Sequence, residues 1–174
     1  GLYAYYLASP FSWLTTLFSI EKLPLAIFLM TVSKISLSGL TFSVYVNFLW
    51  NKYNSLPAQT SSYRRLLAHL TLLPLPVAYA LMSYNLQFAL SIMWLDGVIL
   101  LPLVVMGIDR IFENRSFLFY SFFLALSLVT NYYIGYMICI FSVIYALMKM
   151  IASCNDKREC FRFITNFSLG SLLA

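Results

Sequence analysis

Three groups of residues bring reactive or polar side chains into otherwise apolar sequence: Lys34, the run Met93-Trp94-Leu95-Asp96-Gly97, and the run Asn131-Tyr132-Tyr133. An ammonium at Lys34 can attract an anion within a membrane, such as a lipid phosphate. It can equally pair with a carboxylate or snorkel outward. Asp96 opens an apolar segment, where a carboxylate can join a binding site or cap a helix through its dipole. Asn131, Tyr132, Tyr133 and Tyr136 can stack on and hydrogen-bond a sugar, or anchor a turn at a membrane interface.

The elements that position these groups follow from composition. Of the 174 residues, 61% are hydrophobic and only 10% charged, and the mean hydropathy is +0.83. A soluble domain is about 45–50% apolar and about 25% charged. Too few polar groups are present to cover a water-soluble globule of this size. A soluble enzyme, a disordered linker and a disulfide scaffold are excluded, and an all-α polytopic transmembrane helix bundle is expected. The net charge of +5 does not indicate nucleic acid, because the basic residues flank apolar segments rather than forming one patch. Cys139, Cys154 and Cys160 lack metal-ligand spacing and read as reduced thiols. There is no Gly-rich phosphate loop, H-E-x-x-H or G-x-S-x-G run. No cofactor is evident, and a divalent metal stays open. His69, with no second His or Cys nearby, reads as structural. The start at Gly1 and the end at Ala174, inside a hydrophobic segment, suggest the middle of a longer protein.

Membrane helices need about 20 apolar residues. Such segments are expected at Pro24–Trp50, at Leu66–Tyr84 with a kink at Pro74 and Pro76, and at Trp94–Phe112 with Pro102 inside. The apolar stretch Ser116–Ile151 would be about 54 Å long as one helix, nearly twice the hydrocarbon thickness. The Asn131–Gly135 break divides it into Ser116–Thr130 and Ile134–Ile151, joined by a tight turn. A partial sixth segment begins near Phe163, giving about five full crossings in residues 23–174. Residues 1–22, with Tyr3, Tyr5, Tyr6, Pro10, Phe11, Trp13 and Phe18, read as an external interfacial segment.

Charges orient these crossings. Lys52, Arg64, Arg65, Arg110, Arg115, Lys149, Lys157, Arg158 and Arg162 all fall on one side if the segments alternate. That side is then the cytoplasm. Asp109, Glu113, Asp156 and Glu159 lie among these cations and are expected to balance them. Lys34 falls about 15 Å below the outer boundary. Thr31, Lys34, Ser38, Thr41 and Tyr45 recur at steps of three and four, so one helical face is polar and should look into the bundle.

Several runs together resemble the bacterial YfhO family of membrane proteins: Tyr5-Tyr-Leu-Ala-Ser-Pro-Phe11, Lys34-Ile-Ser-Leu-Ser-Gly-Leu-Thr-Phe42, Tyr79-Ala-Leu81, Met93-Trp-Leu-Asp-Gly-Val-Ile-Leu-Leu-Pro102 and Asn131-Tyr-Tyr-Ile-Gly-Tyr-Met137. The resemblance covers essentially the whole chain. The sequence departs from the family pattern at Met82-Ser83 and Ser91-Ile92. The resemblance implies a multi-pass glycosyltransferase of the GT-C type in the bacterial plasma membrane. Such an enzyme moves a sugar from an undecaprenyl-phosphate carrier to a cell-envelope acceptor such as lipoteichoic acid. It also implies a catalytic carboxylate upstream of the region matching Gly1, so the catalytic residue is unassigned here. Lys34 is then expected to meet the carrier phosphate, and Trp94, Asp96, Asn131, Tyr132 and Tyr133 to shape the sugar or acceptor site. The implied partners are the bilayer, the carrier-linked sugar and the envelope polymer. A lipid or solute transporter or flippase is the alternative, as is a non-catalytic envelope-assembly protein.

Overall fold

The computed structural model describes Ser9 and residues 18–53, 70–89, 91–153 and 157–174. The external aromatic residues Tyr3 to Trp13, together with Arg64, Arg65, His69, Cys154 and Asp156, lie outside the described residues. The described residues are helical, without strands. A 3₁₀ turn, Ile20–Lys22, leads into α1, Leu23–Tyr53. There follow α2 (Pro74–Ala80), α3 (Ser83–Gln87), α4 (Ile92–Phe112), α5 (Leu118–Thr130), α6 (Tyr132–Ser153) and α7 (Lys157–Leu173). Among the described residues, three stretches are long and apolar enough to cross a membrane: Ile20–Tyr53, Ile92–Phe112 and Tyr132–Ala152. The protein is an all-α membrane helix bundle.

Cross-helix contacts set the directions. Thr31 hydroxyl donates to the Ala89 carbonyl at 3.3 Å, Lys34 pairs with Asp96 at 2.6 Å, Tyr45 donates to Asp109 at 3.1 Å and Lys52 pairs with Glu113 at 2.9 Å. Both numbers of each pair rise together, so α1 and α4 run side by side in the same direction. The chain returns between them through α2, where Gly39 abuts Pro76 and Ala80 and the Phe42 ring stacks on Tyr79 at 4.4 Å. Helix α5 opposes α4, with Tyr120 against Gly107 and Asn131 against Met93. Helix α6 again runs with α4, from Ile134 beside Gly97 to Tyr145 on Asp109.

Helix α4 is the axis of the bundle. Val104, Ile108 and Ile111 are 0–1% exposed and form the core with Tyr120, Leu124, Ile138, Ala146 and Phe163. Its composition allows this, because an apolar helix without a continuous polar face can be covered on every side.

Two boundaries differ from expectation. The turn between α5 and α6 is one residue, Asn131, at φ −155° and ψ 103°; Tyr132 to Gly135 already belong to α6. The Asn131 Oδ1 accepts from the Tyr133 and Ile134 amides at 3.1 and 3.2 Å, capping the new helix so that it restarts at once. Gly135 lets α6 fold back closely, since a Cβ there would meet Leu128 Cα and the Ser127 carbonyl at 2.8 Å. The second difference concerns the Leu66–Tyr84 segment. Pro74 opens α2, where its missing N–H is not needed, and Pro76 lies in its first turn. The interruption expected at the prolines is present, as a turn at Leu73 between helical residues 70–72 and α2, and a second break follows at Leu81 and Met82.

Candidate functional site

Lys34 is 1% exposed, eleven residues into α1. An ammonium so placed must be compensated. Besides Asp96, it donates to the Ile92 carbonyl at 3.0 Å and to the Ser9 hydroxyl at 3.4 Å. Carboxylate pairing is therefore the observed state of Lys34. Ser38 and Thr41 are also buried on this face. They return their hydroxyls to the backbone, to Ile35 at 2.7 Å and Ser38 at 3.0 Å, as such residues do within apolar helices.

Asp96 is 2% exposed. It is the fifth residue of α4, whose N-cap is Ser91 and whose first turn carries no acidic residue. Helix capping is thus corrected: α4 starts at Ile92, which moves Asp96 beyond the orphan amides. Apart from the Lys34 contact, neither Asp96 oxygen accepts a hydrogen bond among the described residues.

Asn131 is 3% exposed, and its Nδ2 donates to the Met93 carbonyl at 3.1 Å. It is thereby tied to the first turn of α4, three residues before Asp96. Lys34, Asp96 and Asn131 do gather at one end of α4, but the Asn131 side chain is committed to the joint. Tyr132 and Tyr133 turn outward, 73% and 51% exposed. Trp94 is half-buried and extends an aromatic row: its ring lies 4.8 Å from Phe88, itself 4.8 Å from Tyr84.

Close by, an apolar groove of about 430 Å³ is lined by Tyr79, Tyr84, Gly97, Leu101, Ile138 and Phe141, among others. Its floor is α4. Pro102 has no N–H, so the Val98 carbonyl four residues earlier lacks its helical donor. Tyr79 crosses from α2 and supplies its hydroxyl at 2.9 Å.

The other end of α4 holds a centre that sequence reasoning missed. Asp109 balances a basic residue as expected, but it does so at 0% exposure and with two tyrosine partners besides. Its carboxylate accepts from Tyr45 of α1 at 3.1 Å and from Tyr145 of α6 at 3.0 Å, and pairs with Lys149 at 2.8 Å. Tyr145 and Lys149 are four apart on one face of α6, and Tyr45 lies on the polar face of α1. Glu113 behaves as expected, between Lys52 at 2.9 Å and Arg115 at 3.4 Å. Among the described residues, no three His, Cys, Asp or Glu side chains gather as a metal site, and Cys139 and Cys160 are unbridged.

No curated protein and no solved structure matches the chain. The family described as bacterial membrane protein YfhO matches residues 1–174. The match spans the chain from end to end, including the runs that carry Lys34, Asp96 and Asn131: the chain belongs to the YfhO family of bacterial membrane proteins.

Proposed function

We propose that the chain is part of a membrane glycosyltransferase of the GT-C type, taking a sugar from undecaprenyl phosphate to an envelope acceptor such as lipoteichoic acid. One observation carries this reading: the buried Lys34–Asp96 pair lies beside an apolar groove, at the end of α4 opposite the basic cluster. A polyprenyl phosphate sugar has the matching parts, an apolar chain, an anionic head and a hydroxylated ring. With Lys52, Arg110, Arg115 and Lys149 on the cytoplasmic side, the pair lies in the outer half of the bilayer. There Lys34 is shared between Asp96 and the carrier phosphate, stabilising the leaving group as negative charge develops. Trp94 and Asp96 border the sugar. Asn131 holds the first turn of α4 in place, and Tyr132 and Tyr133 present rings at the outer surface for the acceptor.

A lipid transporter or flippase is the second reading. It is favoured by the buried ion pairs at both ends of α4, Lys34–Asp96 and Lys149–Asp109, since intramembrane charges mark translocation paths. The test is full-length protein in liposomes with labelled carrier-linked sugar and envelope acceptor. Label on the acceptor, lost in Lys34→Met, is the expected result. Carrier crossing the bilayer without transfer overturns it in favour of transport. Unchanged carrier binding and transfer in Lys34→Met removes the phosphate role.

A further inference from the structure

We infer that Asp96 Oδ2 and Asn85 Oδ1 act together as hydrogen-bond acceptors for the hydroxyl groups of a neutral sugar ring. The identification of the ring rests on the glycosyl reading above.

Asn85 is 0% exposed at the junction of α2 and α3. Its Nδ2 donates to the Tyr79 and Ala80 carbonyls at 3.2 and 2.9 Å and to the Ser38 hydroxyl at 3.4 Å. Two carbonyl oxygens fix the amide: turned over, Oδ1 would face them both. Oδ1 therefore points away from them, and it accepts no hydrogen bond among the described residues. Asp96 Oδ2 is in the same condition. Buried acceptors without donors are rare, and each asks for a reason.

The two side chains are held from neighbouring positions on α1. Ser38, which holds Asn85, is one helical turn from Lys34, which holds Asp96. Their chain neighbours, Tyr84 and Gly97, both line the apolar groove. Charge then selects the ligand. Oxygen lone pairs repel an anion, and the Lys34 ammonium, 2.6 Å from Asp96, already neutralises the carboxylate that a metal cation would need. What satisfies both acceptors is a set of neutral O–H donors. The Trp94–Phe88–Tyr84 row adds ring faces for the apolar side of a sugar.

The experiment uses full-length protein in nanodiscs, with methyl glucoside, inorganic phosphate and calcium as separate probes. The readouts are the infrared carboxylate stretch and tryptophan fluorescence. Methyl glucoside is expected to shift the carboxylate band saturably. The shift disappears in a Lys34→Gln/Asp96→Asn double variant, which keeps the site neutral, and half-saturation rises at least tenfold in Asn85→Ala. A band moved by phosphate or calcium and not by the glucoside overturns the inference. So does a band that responds to solvent deuteration alone, which identifies a buried water, or a glucoside response equal in all three proteins. Acceptor labelling in liposomes without any glucoside response defeats this inference and leaves the transferase reading standing; a glucoside response without transfer from the carrier does the reverse.

Discussion

Tyr79 donates its hydroxyl to the Val98 carbonyl at 2.9 Å, the carbonyl that Pro102 leaves without a helical partner. A proline inside a membrane helix is tolerated when a neighbouring helix satisfies the freed group, and here a tyrosine of α2 does so. Tyr79→Phe should therefore destabilise the protein by about 1–3 kcal/mol, the range for an orphaned buried polar group. Pro102→Ala restores an amide donor within α4. In that background Tyr79→Phe should cost much less. Thermal unfolding of the four proteins of this cycle in one detergent reads the coupling. Equal costs in both backgrounds would show that the Tyr79 hydroxyl does not act by satisfying the carbonyl that Pro102 frees.

The Lys34–Asp96 pair predicts a similar asymmetry. Lys34→Met leaves a buried carboxylate uncompensated and should cost about 3–5 kcal/mol, whereas Lys34→Met/Asp96→Leu removes both charges and should recover most of it. Stability and sugar transfer then separate. The double variant is expected to fold and to transfer nothing. A folded double variant with normal turnover would reduce the pair to a structural tie between α1 and α4.

At Asn131 two functions of one side chain can be divided. Asn131→Ala loses the cap on α6 and the bond to Met93, and a lost cap alone costs about 1 kcal/mol. Asn131→Asp keeps an acceptor for the Tyr133 and Ile134 amides but has no donor for the Met93 carbonyl. It should retain the α5–α6 hairpin while loosening the first turn of α4. Amide hydrogen exchange then rises at Trp94 and Leu95 and stays low at Tyr133 and Ile134. Faster exchange in α6 instead would assign the stability of the joint to the Met93 bond.

The helices were legible where local composition decides them. Long apolar runs marked α1, α4 and α6, and the polar Asn131 marked the break before α6. The three-and-four spacing of Thr31, Lys34, Ser38, Thr41 and Tyr45 correctly named the face of α1 that meets α4. Partnerships across the bundle were not legible. Asp109 sits one residue from Arg110 and four from Glu113, so its sequence surroundings read as a charged boundary. Its partners, Tyr45 and Tyr145, are 64 and 36 residues away. The capping alternative for Asp96 arises from a segment start placed at Trp94, two residues after the helix begins at Ile92. Asn85 gave no signal, since its burial comes from the break at Leu81 and Met82, where no proline or glycine marks the chain.

Asp109 gives the last prediction. A buried carboxylate with three donors from two helices fixes α1, α4 and α6 to one another, and each donor matters only while the charge is present. Tyr45→Phe and Tyr145→Phe should each cost about 1.5–3 kcal/mol, the range for hydrogen bonds to a charged group. Lys149→Met should cost more, because the buried carboxylate then loses its counter-charge. In an Asp109→Leu background the two phenylalanine substitutions should become nearly neutral, since their partner is gone. Lys149, with 22% of its side chain exposed, can turn to water in that background, and the tyrosines lose only a hydroxyl that no longer has an acceptor. Unfolding midpoints across this series decide the matter. Tyrosine substitutions that cost the same with and without Asp109 would show that the hydroxyls act through some other partner, with the carboxylate a bystander.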